Sequence, residues 1–243
     1  MLKEPKRIGK CLRTSNGYGL SFEHLNSFGK KLLTLANTDK PVMDIGAGYG
    51  AFCLEALEKG FQVIANDLSS DHLDYIKTVA SEKKQLQSSH LQTHVGRFPE
   101  EIHLTPESLG AIYTCGVMHY FTPSEFVDAL QKMRDLLDQD GYLCIVTSSP
   151  YLKGYESFLP IFEERLKNNV DWPGVIDNYQ DYFSSDDFEN PESTHLMDCQ
   201  VLEKAVTQAG FKTLKCDYLS VKNDYEKQYT CGKELSAIIA QKI

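Results

Sequence analysis

The chain has 243 residues, a length that suits one large α/β domain or one domain plus a cap. Its composition, with 42% hydrophobic and 24% charged residues, is typical of a soluble globular protein. The net charge of −9 disfavours a nucleic-acid partner, and no apolar run is long enough for a membrane helix. The first residues lack the apolar segment of a signal peptide, and the seven cysteines are dispersed without a Cys-x-x-Cys pair, so we expect a cytoplasmic protein with reduced thiols.

The first 38 residues predict an N-terminal helical lid. Its helical face consists of apolar side chains at helical spacing, namely Leu25, Phe28, Leu32 and Leu35. Ahead of this face, Tyr18 lies in the glycine-flanked stretch Asn-Gly-Tyr-Gly. That stretch either closes over a bound ligand as a lid or forms a disordered arm.

Residues 39–149 alternate short apolar strands with helical patterns. The predicted strands are 42–45, 61–65, 91–95, 111–114 and 142–147. Helices are predicted at 51–59, from the polar residues 69–71 onward, and after Thr122-Pro123-Ser124-Glu125, which is a capping box with proline at the first helical position. This order favours an α/β fold with a doubly wound, Rossmann-like sheet that is mostly parallel.

The pattern changes at Pro150 and returns at Asp198. Residues 150–197 are rich in aromatic, proline, Asp and Asn residues and predict a helical cap insertion. Residues 198–243 predict a C-terminal part of the core: a helix capped by Asp198, a strand at 211–219, the polar stretch 222–228, and an antiparallel last strand at 236–243. We expect this final hairpin to extend the edge of the sheet.

The most informative stretch is Asp44-x-Gly46-x-Gly48-x-Gly50, which follows the strand 42–45 and precedes the helix 51–59. Glycine tolerates the positive φ of a tight turn and removes the Cβ that would obstruct a ligand. The loop therefore brings its ligand to the unpaired N–H groups of a helix N-terminus. These features alone leave the identity of the ligand open.

Four ordered features together resemble the class I S-adenosylmethionine-dependent methyltransferases. Besides the alternating glycines, Asp67 follows the second strand, Gly141 precedes a strand that runs to Val146, and Ala209-Gly210-Phe211 joins the last helix to its strand. The glycine spacing differs from the dinucleotide pattern Gly-x-Gly-x-x-Gly. The resemblance implies S-adenosyl-L-methionine as the cofactor and S-adenosyl-L-homocysteine as its product.

The resemblance also implies roles for residues that match the family's motifs. Gly46, Ala47, Gly48 and Gly50 would lie against the methionine part of the cofactor, and Asp44 would hold its ammonium group. Asp67, followed by Leu68, would accept hydrogen bonds from both ribose hydroxyls. Arg97 stands where the family often has an acid, which leaves side-chain recognition of the adenine open, while Phe98 could cover the ring. Cys115 would lie near the site.

Candidate acceptor-side residues are His119, Tyr120, Tyr18, Tyr151, Trp172 and His195. His119 follows a strand end that would face the cofactor, and it is either the catalytic general base or a core histidine. His195 either contacts the acceptor or packs beside the cap. The cap aromatics, including Tyr151 and Trp172, line an acceptor pocket, form a core within the cap, or do both.

The sequence thus predicts direct, in-line methyl transfer to a small or medium-sized organic molecule, because this reaction needs positioning rather than a catalytic triad. The alternatives are a protein or peptide methyltransferase and a non-catalytic module that binds S-adenosylmethionine. A nicotinamide-dependent oxidoreductase is disfavoured by the glycine spacing. No His/Asp/Glu cluster has metal-ligand spacing, so no metal is predicted, and we expect a monomer or a homodimer.

Overall fold

The computed structural model describes residues 5–9, 11–183, 191–220 and 231–243. In the N-terminal segment, three short antiparallel strands precede the first helix: β1 (Arg7–Ile8), β2 (Cys11–Arg13), β3 (Leu20–Phe22) and α1 (Ser27–Leu35). The prediction of a helical segment is therefore correct only for α1. Gly17 and Gly19 have positive φ values of 80° and 71°, and the tight turn that they permit pairs β2 with β3.

The central part of the chain is a βα alternation, as predicted. Its elements are β4 (Val42–Ile45), α2 (Ala51–Glu58), β5 (Val63–Asp67), α3 (Ser70–Glu82), β6 (Leu91–Val95), β7 (Leu109–Cys115), α4 (Pro123–Leu136) and β8 (Leu137–Ser148). Strands β6, β5, β4, β7 and β8 lie side by side in this order and all pair in parallel. Because the carboxyl ends of parallel strands share one edge, the loops after β4, β5 and β7 meet there.

Residues 150–183 and 191–197 contain a small hydrophobic core of their own. They include α5 (Leu159–Lys167) and the antiparallel pair β9 (Val175–Ile176) and β10 (Thr194–His195). The buried side chains of this core are Tyr155, Phe158, Phe162, Ile176 and Leu196. These five side chains form a hydrophobic cluster that is separate from the two clusters on the faces of the large sheet.

The C-terminal part returns to the sheet through α6 (Cys199–Gln208), β11 (Phe211–Leu219) and β12 (Leu235–Lys242). β12 lies between β8 and β11 and is antiparallel to both, so β11 forms the sheet edge and the last strand does not. The apolar residues Ala237–Ala240 are fully buried, whereas β11 is exposed along much of its length. The predicted polar stretch 222–228 lies outside the described residues.

Among the described residues, the main sheet has seven strands in the order β11-β12-β8-β7-β4-β5-β6, and it confirms the Rossmann-like fold class. One hydrophobic cluster covers the face that packs on α4 and α6, and another covers the face that packs on α1, α2 and α3. In the part of the chain that the structure describes, no helix combines the length and apolar composition needed to cross a membrane.

The predicted capping box at α4 is present. The Thr122 hydroxyl accepts a hydrogen bond from the Glu125 backbone N–H at 3.4 Å, and Glu125 Oε2 accepts one from the Thr122 backbone N–H at 2.8 Å. We expect Thr122→Ala to lower the free energy of unfolding by about 1 kcal/mol, measured by urea denaturation. Thr78→Ala in α3 is the control, because the Thr78 hydroxyl donates only to a carbonyl within its own helix. Equal stability of the two variants would contradict this role.

Candidate active site

A cavity of about 440 Å³ opens at the carboxyl ends of β4, β5 and β7. Its floor is the glycine loop after β4, one side is formed by the residues after β5 and β6, and another by the segment after β7. The turn between β2 and β3 closes the remaining side with Thr14, Asn16 and Tyr18. The cavity therefore lies where an open α/β sheet usually binds its ligand.

The glycine loop has no room for side chains. Gly46 and Gly48 have φ values of 70° and 52°, and a Cβ on them would lie 2.2 Å from Val117 Cγ2 and 2.7 Å from Ser21 Oγ. Gly50 (φ 83°) begins α2 without a side-chain cap, which leaves the first N–H groups of that helix available to a ligand. Gly46, Ala47 and Gly48 line the cavity, while Gly50 packs on Ile76 of α3.

The end of β5 holds the loops around the cavity in place. The buried Asn66 carbonyl accepts hydrogen bonds from the backbone N–H groups of Gly46 and Ala47, both at 2.9 Å. Its side-chain amide donates to the carbonyls of His94 and Gly96 at 3.0 and 2.9 Å. Asn66 thus joins the glycine loop to the segment after β6. Asn66 was not among the residues predicted from the sequence, although an amide in a buried strand is a signal that it has partners.

Asp67 lines the cavity, and protein donors hold it there. Its Oδ2 accepts from the Gly48 N–H at 2.8 Å, and its Oδ1 accepts from the Ser69 N–H at 2.8 Å and pairs with His72 Nδ1 at 3.0 Å. A carboxylate offers about four acceptor positions. Three are taken by these contacts, and the fourth lies on Oδ2 beside the Gly48 contact. One ligand hydroxyl can therefore bind there, and a second would have to share an acceptor position with a protein donor.

Asp44 is fully buried at the cavity floor. Burial raises its pKa to about 7, the nearby Asp67 charge raises it further, and a hydrogen bond from Cys53 Sγ at 3.3 Å acts in the opposite direction. The carboxyl group therefore exchanges its proton near neutral pH. A cationic group in the cavity would favour the charged form of Asp44.

Arg97 borders the cavity, but its guanidinium group is turned to neighbouring side chains. It pairs with Glu125 at 2.6 Å, and its Cζ lies 5.9 Å from the centre of the Phe121 ring. Phe98 is buried beside the cavity, and Leu68 lines it while remaining 59% exposed. The geometry favours apolar cover of a planar group by Phe98 and Leu68 over contact with Arg97.

The segment after β7 brings Cys115 and Tyr120 to the cavity but not His119. Burial raises the pKa of Tyr120 and that of Cys115 to about 12, so both side chains are protonated at neutral pH. His119 does not line the cavity, and burial lowers its pKa to about 4. The Tyr120 hydroxyl can thus donate a hydrogen bond into the cavity, whereas the general-base role of His119 stays a prediction.

Three predicted acceptor residues lie away from the cavity. His195 packs edge-on against Trp172 and Phe126, with ring centroids 5.1 and 6.1 Å apart, and burial lowers the pKa of His195 to about 4. Tyr151 contacts the rings of Phe162 and Tyr218. None of the three lines the cavity, and their assignment to the acceptor stays a prediction. Tyr18, in contrast, lines the cavity and contacts the Tyr120 ring edge-on at 6.2 Å.

Four further residues that line the cavity were not predicted from the sequence. Pro191, Glu192 and Ser193 line it from the cap, and His24 lines it from the segment before α1. Nothing in their spacing indicated this, since they come together only in the folded chain. Within the described ranges, no three His, Cys, Asp or Glu side chains are placed to hold a metal ion.

Comparison with known families gives one match for the central segment. Residues 42–141 match a family described as a methyltransferase domain. This segment is therefore similar to methyltransferase domains. It contains the glycine loop, Asp67 and the segment after β7, which form most of the cavity wall. No curated protein matches the chain.

Solved structures of methyltransferases share the fold of the whole chain. A methyltransferase from Methanosarcina mazei has a TM-score of 0.64 at 18% identity, covering 90% of this chain and 99% of its own. A geranyl diphosphate C-methyltransferase from Streptomyces coelicolor has a TM-score of 0.59 at 12% identity, covering 89% and 78%. A 1,6-didemethyltoxoflavin-N1-methyltransferase from Burkholderia thailandensis has a TM-score of 0.58 at 15% identity, with the same coverage. The chain thus shares the fold of these methyltransferases.

The pKa of Asp44 makes the stability of the folded protein depend on pH. Asp44 binds its proton up to about pH 7 in the folded protein but only to about pH 4 when unfolded, so its contribution to stability falls as the pH rises between these values. The Asp44→Asn variant carries no such proton. As the pH rises from 5 to 8, we therefore expect the free energy of unfolding of the wild type to fall by about 3 kcal/mol relative to that of Asp44→Asn. Asp74→Asn, at an exposed site, is the control. Parallel pH curves for Asp44→Asn and the wild type would exclude the assignment.

Proposed function

We propose that the protein is a methyltransferase that binds S-adenosyl-L-methionine in the cavity and transfers its methyl group directly to a small or medium-sized organic molecule. The observation that carries the proposal is the combination of a glycine loop without space for Cβ atoms and Asp67 at the adjacent strand end. The loop suits an elongated ligand that lies flat on backbone, and Asp67 suits a ligand with hydroxyl groups.

The remaining wall fits the parts of this cofactor. The N–H groups at the start of α2 suit its carboxylate, and Asp44 suits its ammonium group, which would favour the ionised form of Asp44. Leu68 and Phe98 offer apolar surface to the adenine ring. When bound, the cofactor supplies an electrophilic methyl group on a sulfonium. S-adenosyl-L-homocysteine would remain as the product.

The protein's own contribution is to position the acceptor and to exclude water. Tyr18 and Tyr120 approach each other across the cavity, and Tyr120 stays protonated because burial raises its pKa to about 12. Its hydroxyl can therefore orient an acceptor by donating a hydrogen bond. Positioning of this kind contributes several kcal/mol to a displacement reaction. A general base is needed only where the acceptor must lose a proton.

The relatives in fold support a small acceptor. The Streptomyces coelicolor structure contains geranyl diphosphate and the Burkholderia thailandensis structure contains 1,6-didemethyltoxoflavin, each with S-adenosylhomocysteine. The cavity of about 440 Å³ is also enclosed by the β2–β3 turn on one side, which suits a compact acceptor. A protein or peptide acceptor and a non-catalytic binding module remain outcomes of the experiments below.

Calorimetric titration with S-adenosyl-L-homocysteine tests the cofactor. We expect binding by the wild type and a loss of about 5- to 150-fold in Asp67→Ala, because a charged hydrogen-bond acceptor is removed. Asp74→Ala, an exposed residue paired with Lys77, should bind like the wild type. NAD should not bind. Failure of the wild type to bind S-adenosyl-L-homocysteine would reject the proposal.

Methyl transfer from labelled S-adenosyl-L-methionine to a panel of small molecules and peptides tests the acceptor. With an accepted small molecule, we expect Tyr120→Phe to lower kcat/KM by about 2- to 10-fold, as one hydrogen bond is lost. His119→Gln should change it by less than threefold, since His119 does not line the cavity. A loss of 100-fold or more in a folded His119→Gln would instead make His119 the base. Transfer to peptides alone would exclude a small-molecule acceptor, and cofactor binding without any transfer would favour the non-catalytic module.

A further inference from the structure

The turn of the N-terminal hairpin, residues 11–22, is tied to the ligand-binding edge of the sheet by side chains from two elements. The Ser15 backbone N–H donates to His72 Nε2 at 2.9 Å, and the Ser15 and Ser69 hydroxyls lie 2.9 Å apart. Tyr49 adds two contacts, because its hydroxyl donates to the Arg13 carbonyl at 3.1 Å and its backbone N–H donates to Ser21 Oγ at 3.3 Å.

His72 connects this hairpin directly to Asp67. Its ring is 1% exposed and lies against the Tyr49 ring at 4.8 Å between centroids. Because the Ser15 N–H is a donor, Nε2 must be the unprotonated nitrogen. Nδ1 therefore carries the proton and donates it to Asp67 Oδ1 at 3.0 Å. One neutral imidazole thus joins a backbone group of the turn to a carboxylate on the cavity wall.

The turn itself forms part of the cavity. Thr14, Asn16 and Tyr18 line it on the side opposite the residues after β6. The hairpin also covers the glycine loop, since a Cβ on Gly48 would come within 2.7 Å of Ser21 Oγ. A displaced hairpin would therefore open one wall of the site and uncover part of the glycine loop. Its position decides how far the bound molecule is shielded from water.

We propose that His72 is a positioning residue that couples ligand binding at Asp67 to closure of the N-terminal hairpin. The inference rests on the proposed function, in which a hydroxyl of the cofactor binds Asp67. A bound hydroxyl restrains the carboxylate, the carboxylate orients the imidazole through Nδ1–H, and the oriented Nε2 receives the Ser15 N–H. By linkage, a ligand that favours the closed hairpin is itself bound more tightly when the hairpin can close.

Two substitutions separate the two hydrogen bonds of His72. In His72→Asn, the side-chain amide can replace Nδ1–H towards Asp67, but no acceptor is left for Ser15. In His72→Gln, the side-chain carbonyl can replace Nε2 towards Ser15, but the donor to Asp67 is lost. Ser15→Ala is the matched control, since it removes the hydroxyl contact with Ser69 and keeps the backbone N–H.

The measurement is amide hydrogen exchange of residues 14–19 with and without saturating S-adenosyl-L-homocysteine, together with the Kd. We expect the ligand to slow exchange at least tenfold in the wild type and in Ser15→Ala. His72→Asn and His72→Gln should each lose most of this response and bind about 3- to 10-fold more weakly. The wild-type measurement needs no variant, so it stands even if a variant fails to fold.

The outcomes are distinguishable. Wild-type binding without slower exchange in residues 14–19 would overturn the coupling and leave the proposed function intact. An unchanged response in both folded His72 variants would overturn the role of His72. Absence of wild-type binding would overturn the proposed function and, with it, the coupling.

Discussion

The arrangement of the site depends on two consecutive buried polar residues, Asn66 and Asp67, at the end of β5. Between them they accept hydrogen bonds from the backbone N–H groups of three glycine-loop residues and of Ser69, and they donate to two carbonyls around β6. A buried polar group without a partner costs about 1–3 kcal/mol, so these contacts are strongly favoured together. The loops after β4, β5 and β6 thus adopt one joint conformation, and the helices that follow them are placed accordingly.

This network brings a second carboxyl group, Asp44, close to Asp67 in a region with little water. The Asp67 charge adds to the effect of burial, and the pKa of Asp44 rises to about 7. Without a ligand, the folded protein therefore holds a proton that the unfolded chain would release at neutral pH. The raised pKa lowers the stability of the folded protein at neutral pH. A ligand with a cationic group offsets this loss of stability, because it favours the ionised carboxyl group. The same feature that lowers the stability of the empty domain would thus strengthen binding of a cation.

The core was predictable from the sequence because its signals are local. Strands β4 and β6 have the predicted bounds, since each is a short apolar or alternating run between clear turn residues, and the capping box marks the start of α4. Long-range packing was not predictable in this way. The helical periodicity before α1 gave no sign of β1–β3, and β12 lies inside the sheet because Ala237–Ala240 are apolar on both faces. His72 resembles any inward-facing helix residue until the fold places it between Asp67 and Ser15.

The same distinction bears on where acceptor specificity arises. From the sequence, the aromatic residues of the cap could line an acceptor pocket, form a core within the cap, or do both. In the structure, several of them pack into a core of their own, and Trp172 packs against His195 and Phe126. An apolar side chain that is already buried in this way gains no further hydrophobic free energy from covering an acceptor. The surfaces that face the cavity outside the glycine loop and the ends of β5 and β6 include the β2–β3 turn, the side chains of Val117, Tyr120 and Phe121, and residues 191–193. Under the proposed function, selection among acceptors would depend on these three surfaces, and the hairpin would contribute to it because its turn forms one wall of the cavity.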